Sequence, residues 1–445
     1  MIFVKFSFIT LKLFFKMKKL LNVLTLAVLV LLSSCRDDKL ITSENNSTRV
    51  TPTLAIESKT IILGEYLIYI KEEAIAPVVE YAGKHYFASR KEKIAFFDEK
   101  SLIVQKQLES FLAELNINSS QVTNFYTALH AGFAIKLTSE EYLRLSNNDK
   151  VSTIEHDAIQ LSDPTITSKP IVDNSNRSIP KFNSCGTTIH GSQPSNSYIK
   201  PTVWVLDTGI DTDHPDLNIC QWLSRSFIPN TTVEDCHGHG TAIAGIIGAK
   251  DNSIGTLGIS PNAPIAALKI SDCQNNYRTS HLLAAINFVA SRGFRNDVVN
   301  LSIGAYSPSC GTGSNANHPH QQVIRALGAQ QMYVVISAGN DNKSANDYYP
   351  ACINGPYIYT VANMDCNKKF YTTSNYADNS SGWPIDWIAT GVNIPAPGLN
   401  LKYFNWTGTS FSAPHVAGII HAKGCPPRHV GTVTHNMVNY KIPKI

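Results

Sequence analysis

The feature that most restricts the fold is a series of short segments with no polar face: Thr202 to Leu206, Ile265 to Ile270, Val298 to Ile303, Tyr333 to Ala338 and Tyr357 to Ala362. Strands apolar on both sides are buried on both sides. Helical patterns such as His281 to Ala290 and Gln321 to Leu327 fall between them, and strands joined by helices run parallel. The expectation is an α/β fold, a mostly parallel sheet flanked by helices, over residues 194–445. Functional groups in such sheets gather at the carboxyl ends of the strands.

The preceding part reads differently. Between about 61 and 161 the pattern is a strand (Tyr66 to Ile70), a helix (Ser101 to Leu115), a strand from Val122 that continues through Gly132 to Leu137, a short helix and a last strand near Val151 to Glu155. Thr138 with Glu141 three residues on is a capping box for the short helix. This predicts a small α+β domain. Polar stretches rich in Ser, Asn and Thr flank it, a tether over 36–60 and a cleavable linker over 162–193.

At the start, Lys16, Lys18 and Lys19 precede an apolar run from Leu20 to Leu32 that ends in Ser33-Ser34-Cys35. The run is shorter than the ~20 residues of a membrane span and has the layout of a signal peptide. The small residues before Cys35 resemble the lipobox of bacterial lipoproteins, which implies lipidation of Cys35 after cleavage, with 1–35 as the leader and Met17 as an alternative start. Arg36-Asp37-Asp38 resembles a surface-sorting signal. An exported lipoprotein, held at the outer membrane or cell surface through its lipid, is expected. The net charge of +4 is small for 445 residues, and Lys and Arg are dispersed, which excludes the concentrated basic face of a nucleic-acid binder. Besides Cys35 there are eight cysteines without metal-type spacing. In an oxidising compartment these predict disulfides, with Cys220–Cys236 one loop-closing possibility.

Three segments carry chemistry. Val205-Leu206-Asp207-Thr208-Gly209 puts an acid at the end of a buried strand. His237-Gly238-His239-Gly240-Thr241 opens a helix of small residues, and Gly408-Thr409-Ser410-Phe411-Ser412-Ala413-Pro414 puts a serine before another. Singly, each has a plain alternative: a turn acid, a loop histidine, a helix cap. Together and in this order they resemble the signatures of the subtilisin-like serine proteases, the subtilases, over about Lys200 to Ile420.

That resemblance implies a serine endopeptidase with Ser410 as nucleophile, His239 as base and then acid, and Asp207 orienting the imidazole. His237 is the other histidine available. Asn340, in Ser337-Ala338-Gly339-Asn340, matches the side-chain oxyanion donor. Ser302, Ile303 and Gly304, with Ala338 and Gly339, match the segments that line the peptide-binding edge and primary pocket, and their small size suggests broad specificity. Lys250-Asp251-Asn252-Ser253-Ile254-Gly255-Thr256 resembles the calcium loop of bacterial subtilisins. Asp216, the Asn252 amide and the carbonyls of Lys250, Ile254 and Thr256 would supply oxygens to Ca²⁺, with a further ligand from before Lys200. The 61–161 domain resembles the propeptide that inhibits the enzyme until cleaved. Substrates would be proteins or peptides, and a monomer is expected. Two departures stand out: Ala389-Thr390-Gly391 replaces Ala-Pro-Gly, and Cys425-Pro426-Pro427 interrupts the helix after the serine. A subtilase fold kept as a binding module, and a peptide ligase sharing the acyl-enzyme, are the rival readings.

Overall fold

A computed structural model describes residues 59–83, 85–161, 167–171, 180–195, 201–308, 310, 318–378 and 384–445. The leader, Cys35 and the tether as far as residue 58 lie outside the described residues. The described residues open with β1 (Lys59–Ile70), followed by α1 (Val78–Ala82), α2 (Arg90–Glu114), β2 (Val122–Tyr126), β3 (Gly132–Lys136), α3 (Ser139–Ser146) and β4 (Val151–Gln160). The four strands form an antiparallel sheet in the order β2-β3-β1-β4.

Helix α2 begins well before the expected Ser101, because the Ser89 side chain accepts from Glu92 N while Glu92 Oε2 accepts from Ala88 N. Its buried side chains, Phe97, Val104, Leu108, Phe111 and Leu112, follow helical spacing onto the sheet. The strand expected to run from Val122 to Leu137 is two strands, β2 and β3, folded back on each other. Thr138 and Glu141 form the predicted capping box on α3.

The second part comprises β5 (Thr167–Pro170), α4 (Cys185–His190), β6 (Val203–Asp207), β7 (Arg225–Ser226), α5 (His239–Gly248), β8 (Ile265–Lys269), β9 (Tyr277–Arg278) and α6 (Thr279–Arg292). There follow β10 (Val298–Leu301), β11 (Ala305–Tyr306), α7 (Pro319–Ala329), β12 (Tyr333–Ser337), β13 (Tyr348–Tyr349), β14 (Ile358–Met364) and β15 (Trp387–Thr390). The last elements are β16 (Ile394–Pro397), β17 (Tyr403–Thr407), α8 (Ala413–Lys423) and the hairpin β18 (Arg428–His435) and β19 (Val438–Lys444).

Seven strands make the predicted parallel sheet, ordered β15-β14-β12-β10-β6-β8-β7. Successive side chains of β6 serve opposite cores, as the period of a strand demands. Trp204 and Leu206 join Leu282, Ile286 and Val289 of α6, while Val203 and Val205 join Ile243 and Ile247 of α5 and Val416 and Ile420 of α8. The sheet thus fixes α5 and α8 side by side on one face.

Residues 180–193, expected to be linker, are held to the α/β part by α4 and the Cys185–Cys366 disulfide. The other disulfides are Cys236–Cys273 and Cys310–Cys352. Cys220 is a free thiol, so the Cys220–Cys236 pairing is incorrect: Cys236 reaches Cys273 instead. The Cys425-Pro426-Pro427 interruption has a simple outcome. Gly424 closes α8 in the left-handed conformation, and the chain turns into the β18–β19 hairpin, which buries Val433, Val438, Tyr440 and Ile442.

Candidate active site

Asp207 ends β6, the strand between β10 and β8. Its Oδ1 lies 2.7 Å from His239 Nδ1 and accepts from Thr208 N at 2.8 Å, with both side chains buried. His239 is the first residue of α5, and the start of that helix is built by a residue the sequence reading passed over. Asp235 Oδ1 accepts from His237 N and Gly238 N, and its Oδ2 accepts from Thr241 N and Thr241 Oγ1 at 2.7–3.0 Å. Burial would raise the Asp235 carboxyl, but these donors outweigh it and hold it below the usual carboxylate range. The Cys236–Cys273 disulfide pins the same turn. Gly240 lets helix and strand meet, since a Cβ there would stand 2.2 Å from the Gly209 carbonyl oxygen. Asp207 pairs with His239 and not with His237, whose ring centre is 6.2 Å from that of His239.

Ser410 lies in a short turn between β17 and α8. Its hydroxyl donates to the Ser302 carbonyl at 3.3 Å, and Ser302 Oγ donates back to the Ser410 carbonyl at 2.8 Å. The Phe411 ring packs against the His239 ring at 5.2 Å. Asn340 Oδ1 accepts from Thr409 N at 2.7 Å, which fixes the orientation of its amide beside Ser410. Another unforeseen residue holds that turn: Asn375 Nδ2 donates to the Ala338 carbonyl, and its Oδ1 accepts from Asp341 N and Lys343 N. Ser302, Ile303 and Gly304 follow β10, and Ala338 and Gly339 follow β12, so the expected peptide-binding segments leave adjacent strands at the same end of the sheet. Thr390, at the first departure from the family pattern, stands between His190 Nε2 at 3.1 Å and His415 Nε2 at 3.4 Å.

The N-terminal sheet reaches this region. Ile159 and Gln160 of β4 pair antiparallel with Arg278 and Tyr277 of β9. Asp157 accepts from Ser280 N at 3.0 Å and Ser280 Oγ at 2.7 Å at the start of α6. Arg90 grips buried Asp297 through two bonds of 2.7 Å, and Asp297 also accepts from Thr202 N, Trp204 Nε1 and Phe294 N.

The loop expected to hold calcium does assemble around Asp216, but as a network of donors to that carboxylate. Asp216 Oδ1 accepts from Asn252 Nδ2 at 3.0 Å, and Oδ2 from Thr256 N and the Tyr403 hydroxyl at 3.2 Å. Asn252 Oδ1 accepts from Ile254 N, so the amide shows Asp216 its nitrogen and not its oxygen. The segment before Lys200 that meets the loop is Pro180-Lys181-Phe182, and it brings an ammonium: Lys181 Nζ donates to Asp251 Oδ1 and to the Asn252 carbonyl. Calcium needs six to eight oxygens. With one carboxylate already engaged by three donors and a cation on the loop, the residues present do not fit it. Adding calcium to the metal-stripped protein should leave the thermal midpoint unchanged. An ion bound at ~100 times its Kd would add ~2.7 kcal/mol, so a rise of several degrees would show that the loop rearranges into a calcium site.

The sequence profile of the subtilase family, peptidase S8, matches residues 199–422. The chain is 28% identical over 359 residues to alkaline serine protease ver112 of Corniculantispora psalliotae, covering 79% of this chain and 84% of that one. It is 34% identical over 217 residues to subtilisin BL of Lederbergia lenta, covering 48% and 73% respectively. The crystal structure of a cold adapted subtilisin-like serine proteinase aligns with a TM-score of 0.42 and 25% identity, over 49% of this chain and 73% of that one. With the profile spanning half the chain and including Asp207, His239 and Ser410, the protein belongs to the subtilase family of serine endopeptidases.

Proposed function

We propose that the protein is an exported, self-processing serine endopeptidase in which Ser410, His239 and Asp207 act together. Ser410 Oγ attacks the scissile carbonyl, exchanging its bond to the Ser302 carbonyl for one to His239 Nε2, which takes the proton. Asp207 keeps the proton of the neutral imidazole on Nδ1 and stabilises the imidazolium. The developing oxyanion takes hydrogen bonds from Asn340 Nδ2 and from Ser410 N at the entrance to α8. The imidazolium then protonates the leaving amine, and water repeats the cycle on the acyl-enzyme. What carries this reading is the buried 2.7 Å contact between Asp207 and His239, an orientation that a binding module would not require. The small residues Ala338 and Gly339 favour broad specificity, and the protein acts as a monomer on protein or peptide substrates.

The N-terminal domain is read as the inhibitory propeptide. Its last strand adds to the exposed edge of β9, as an extended peptide substrate would. Gln160 lies opposite Tyr277, while Thr167 lies opposite Thr407, just before Gly408-Thr409-Ser410. These flanking pairs support a scissile bond between Gln160 and Thr167, at the start of the expected linker. Cys35 anchors the precursor at the outer membrane or cell surface through its lipid, and this cut separates the lipid from the protease. N-terminal sequencing of the matured protein should begin within 161–167, and a Ser410→Ala chain should stay whole. A Ser410→Ala chain cut at the same bond would refute self-processing.

A further inference from the structure

Where the N-terminal sheet meets the α/β part, three side chains converge that no step above uses. Glu155 comes from β4, while His318 caps α7 and His320 lies in its first turn. His320 Nε2 is 2.7 Å from one Glu155 oxygen, and His318 Nε2 is 3.7 Å from the other. One donor atom from each residue lies within 4.8 Å of the other two. The two imidazoles meet edge to face with centres 4.6 Å apart. The His320 ring is held between those of Tyr69 and Tyr349, at 5.9 and 6.1 Å, and the Tyr349 hydroxyl donates to the His320 carbonyl.

The cluster lines a cavity of about 210 Å³ whose walls also include Lys59, Gln160, Tyr277 and Gln321. Among the described residues, Gln160 Oε1 and the Tyr277 hydroxyl on those walls have no hydrogen-bond partner, although both side chains are buried. Buried polar atoms without a protein partner call for another one, which the water ligands of an ion would supply. Two imidazole nitrogens and a carboxylate form a donor set for Zn(II)-class ions, not for calcium or magnesium, which prefer oxygen alone. Around a tetrahedral ion with bonds of ~2.0 Å, donors stand ~3.3 Å apart, between the two contacts seen here. Lys59, exposed on its flexible stem, can carry its charge out to water.

We propose that Glu155, His318 and His320 bind a Zn(II)-class ion that clamps the N-terminal domain to the protease. The clamp rests on the propeptide reading, since Glu155 lies before the proposed cut and both histidines after it. Binding of the ion does not depend on that reading. Bound zinc would thus delay release of the severed domain and prolong latency.

The test uses the chain from residue 36 with Ser410→Ala, stripped of metal and titrated with Zn(II) by calorimetry and with Co(II) by visible absorption. One equivalent should bind with a Kd of micromolar or below, and Co(II) should give the d–d bands of a four- or five-coordinate site. His318→Ala, on the half-exposed side of the cluster, and His320→Ala should each weaken binding at least ~10-fold. Glu155→Gln should do the same, with the thermal midpoint checking that the domain stays docked. In a second arm, the wild-type chain is allowed to mature and its N-terminal domain is followed by gel filtration, where zinc should slow its loss and His318→Ala should abolish the delay. Absent heat and cobalt bands, or an affinity unchanged by His318→Ala, would overturn the site. Zinc binding in the first arm with no delay in the second would overturn the clamp. A chain that never matures would count against the propeptide reading alone, leaving the first arm to decide the metal site.

Discussion

Ser410→Ala should lower kcat on a peptide substrate by ~10⁶-fold, a magnitude taken from subtilisin and not from this geometry. The expectation rests on what remains when the hydroxyl is removed. The Asp207–His239 pair, the Asn340 amide and the peptide-binding segments all stay in place, but no atom is left to form the acyl-enzyme. The fold should survive, because the Ser410 side chain makes one long bond of 3.3 Å, to the Ser302 carbonyl, while the Ser302 hydroxyl is held by the Ser410 backbone. Steady-state hydrolysis of a chromogenic peptide, alongside thermal unfolding of the same preparation, checks both halves. A loss of activity below ~10²-fold would mean that another group serves as nucleophile.

Asp207→Asn should cost ~10⁴-fold in kcat, the scale of the tautomer penalty in serine proteases generally. Asp207 Oδ1 accepts from His239 Nδ1 and from Thr208 N together. An asparagine amide can keep either its oxygen on Thr208 N or its nitrogen toward His239. In the latter case the imidazole proton moves to Nε2, where it faces the nucleophile and blocks it as a base. Substrate binding is untouched, so KM should stay near the wild-type value. A variant that instead raised KM with kcat preserved would show Asp207 to be a structural residue.

Much of the fold was legible because buried parallel strands leave an unmistakable apolar signature, and the side chains of β6 do divide between two cores. The Asp207–His239 contact was legible through motif order. The supports were not: Asp235 and Asn375 act through backbone amides from loops, where no periodicity exists to read. Glu234-Asp235 just ahead of His237-Gly238-His239 was the available signal for the helix cap. The donors around the expected calcium loop were not legible for a local reason. The loop sequence closely resembles the calcium loop, but Lys181, far away in sequence, meets it only once the chain has folded. The long α2 was shortened in reading because its first turns are rich in Lys and Glu, yet Arg90 and Lys93 in those turns reach Asp297 and the Gly293 carbonyl. Truncating Arg90 would leave a fully buried carboxylate without its cation, so these charged positions are anchors of the domain contact and not a solvated face.

The most direct test of the central claim is covalent labelling of the matured protein with a sulfonyl fluoride, followed by peptide mass mapping. A single adduct on Ser410 is expected, formed in step with the loss of activity and absent from a folded His239→Ala variant. An unmodified Ser410 in protein whose activity the reagent has abolished, or an adduct that forms equally without His239, would contradict the assignment of Asp207, His239 and Ser410 as one catalytic unit.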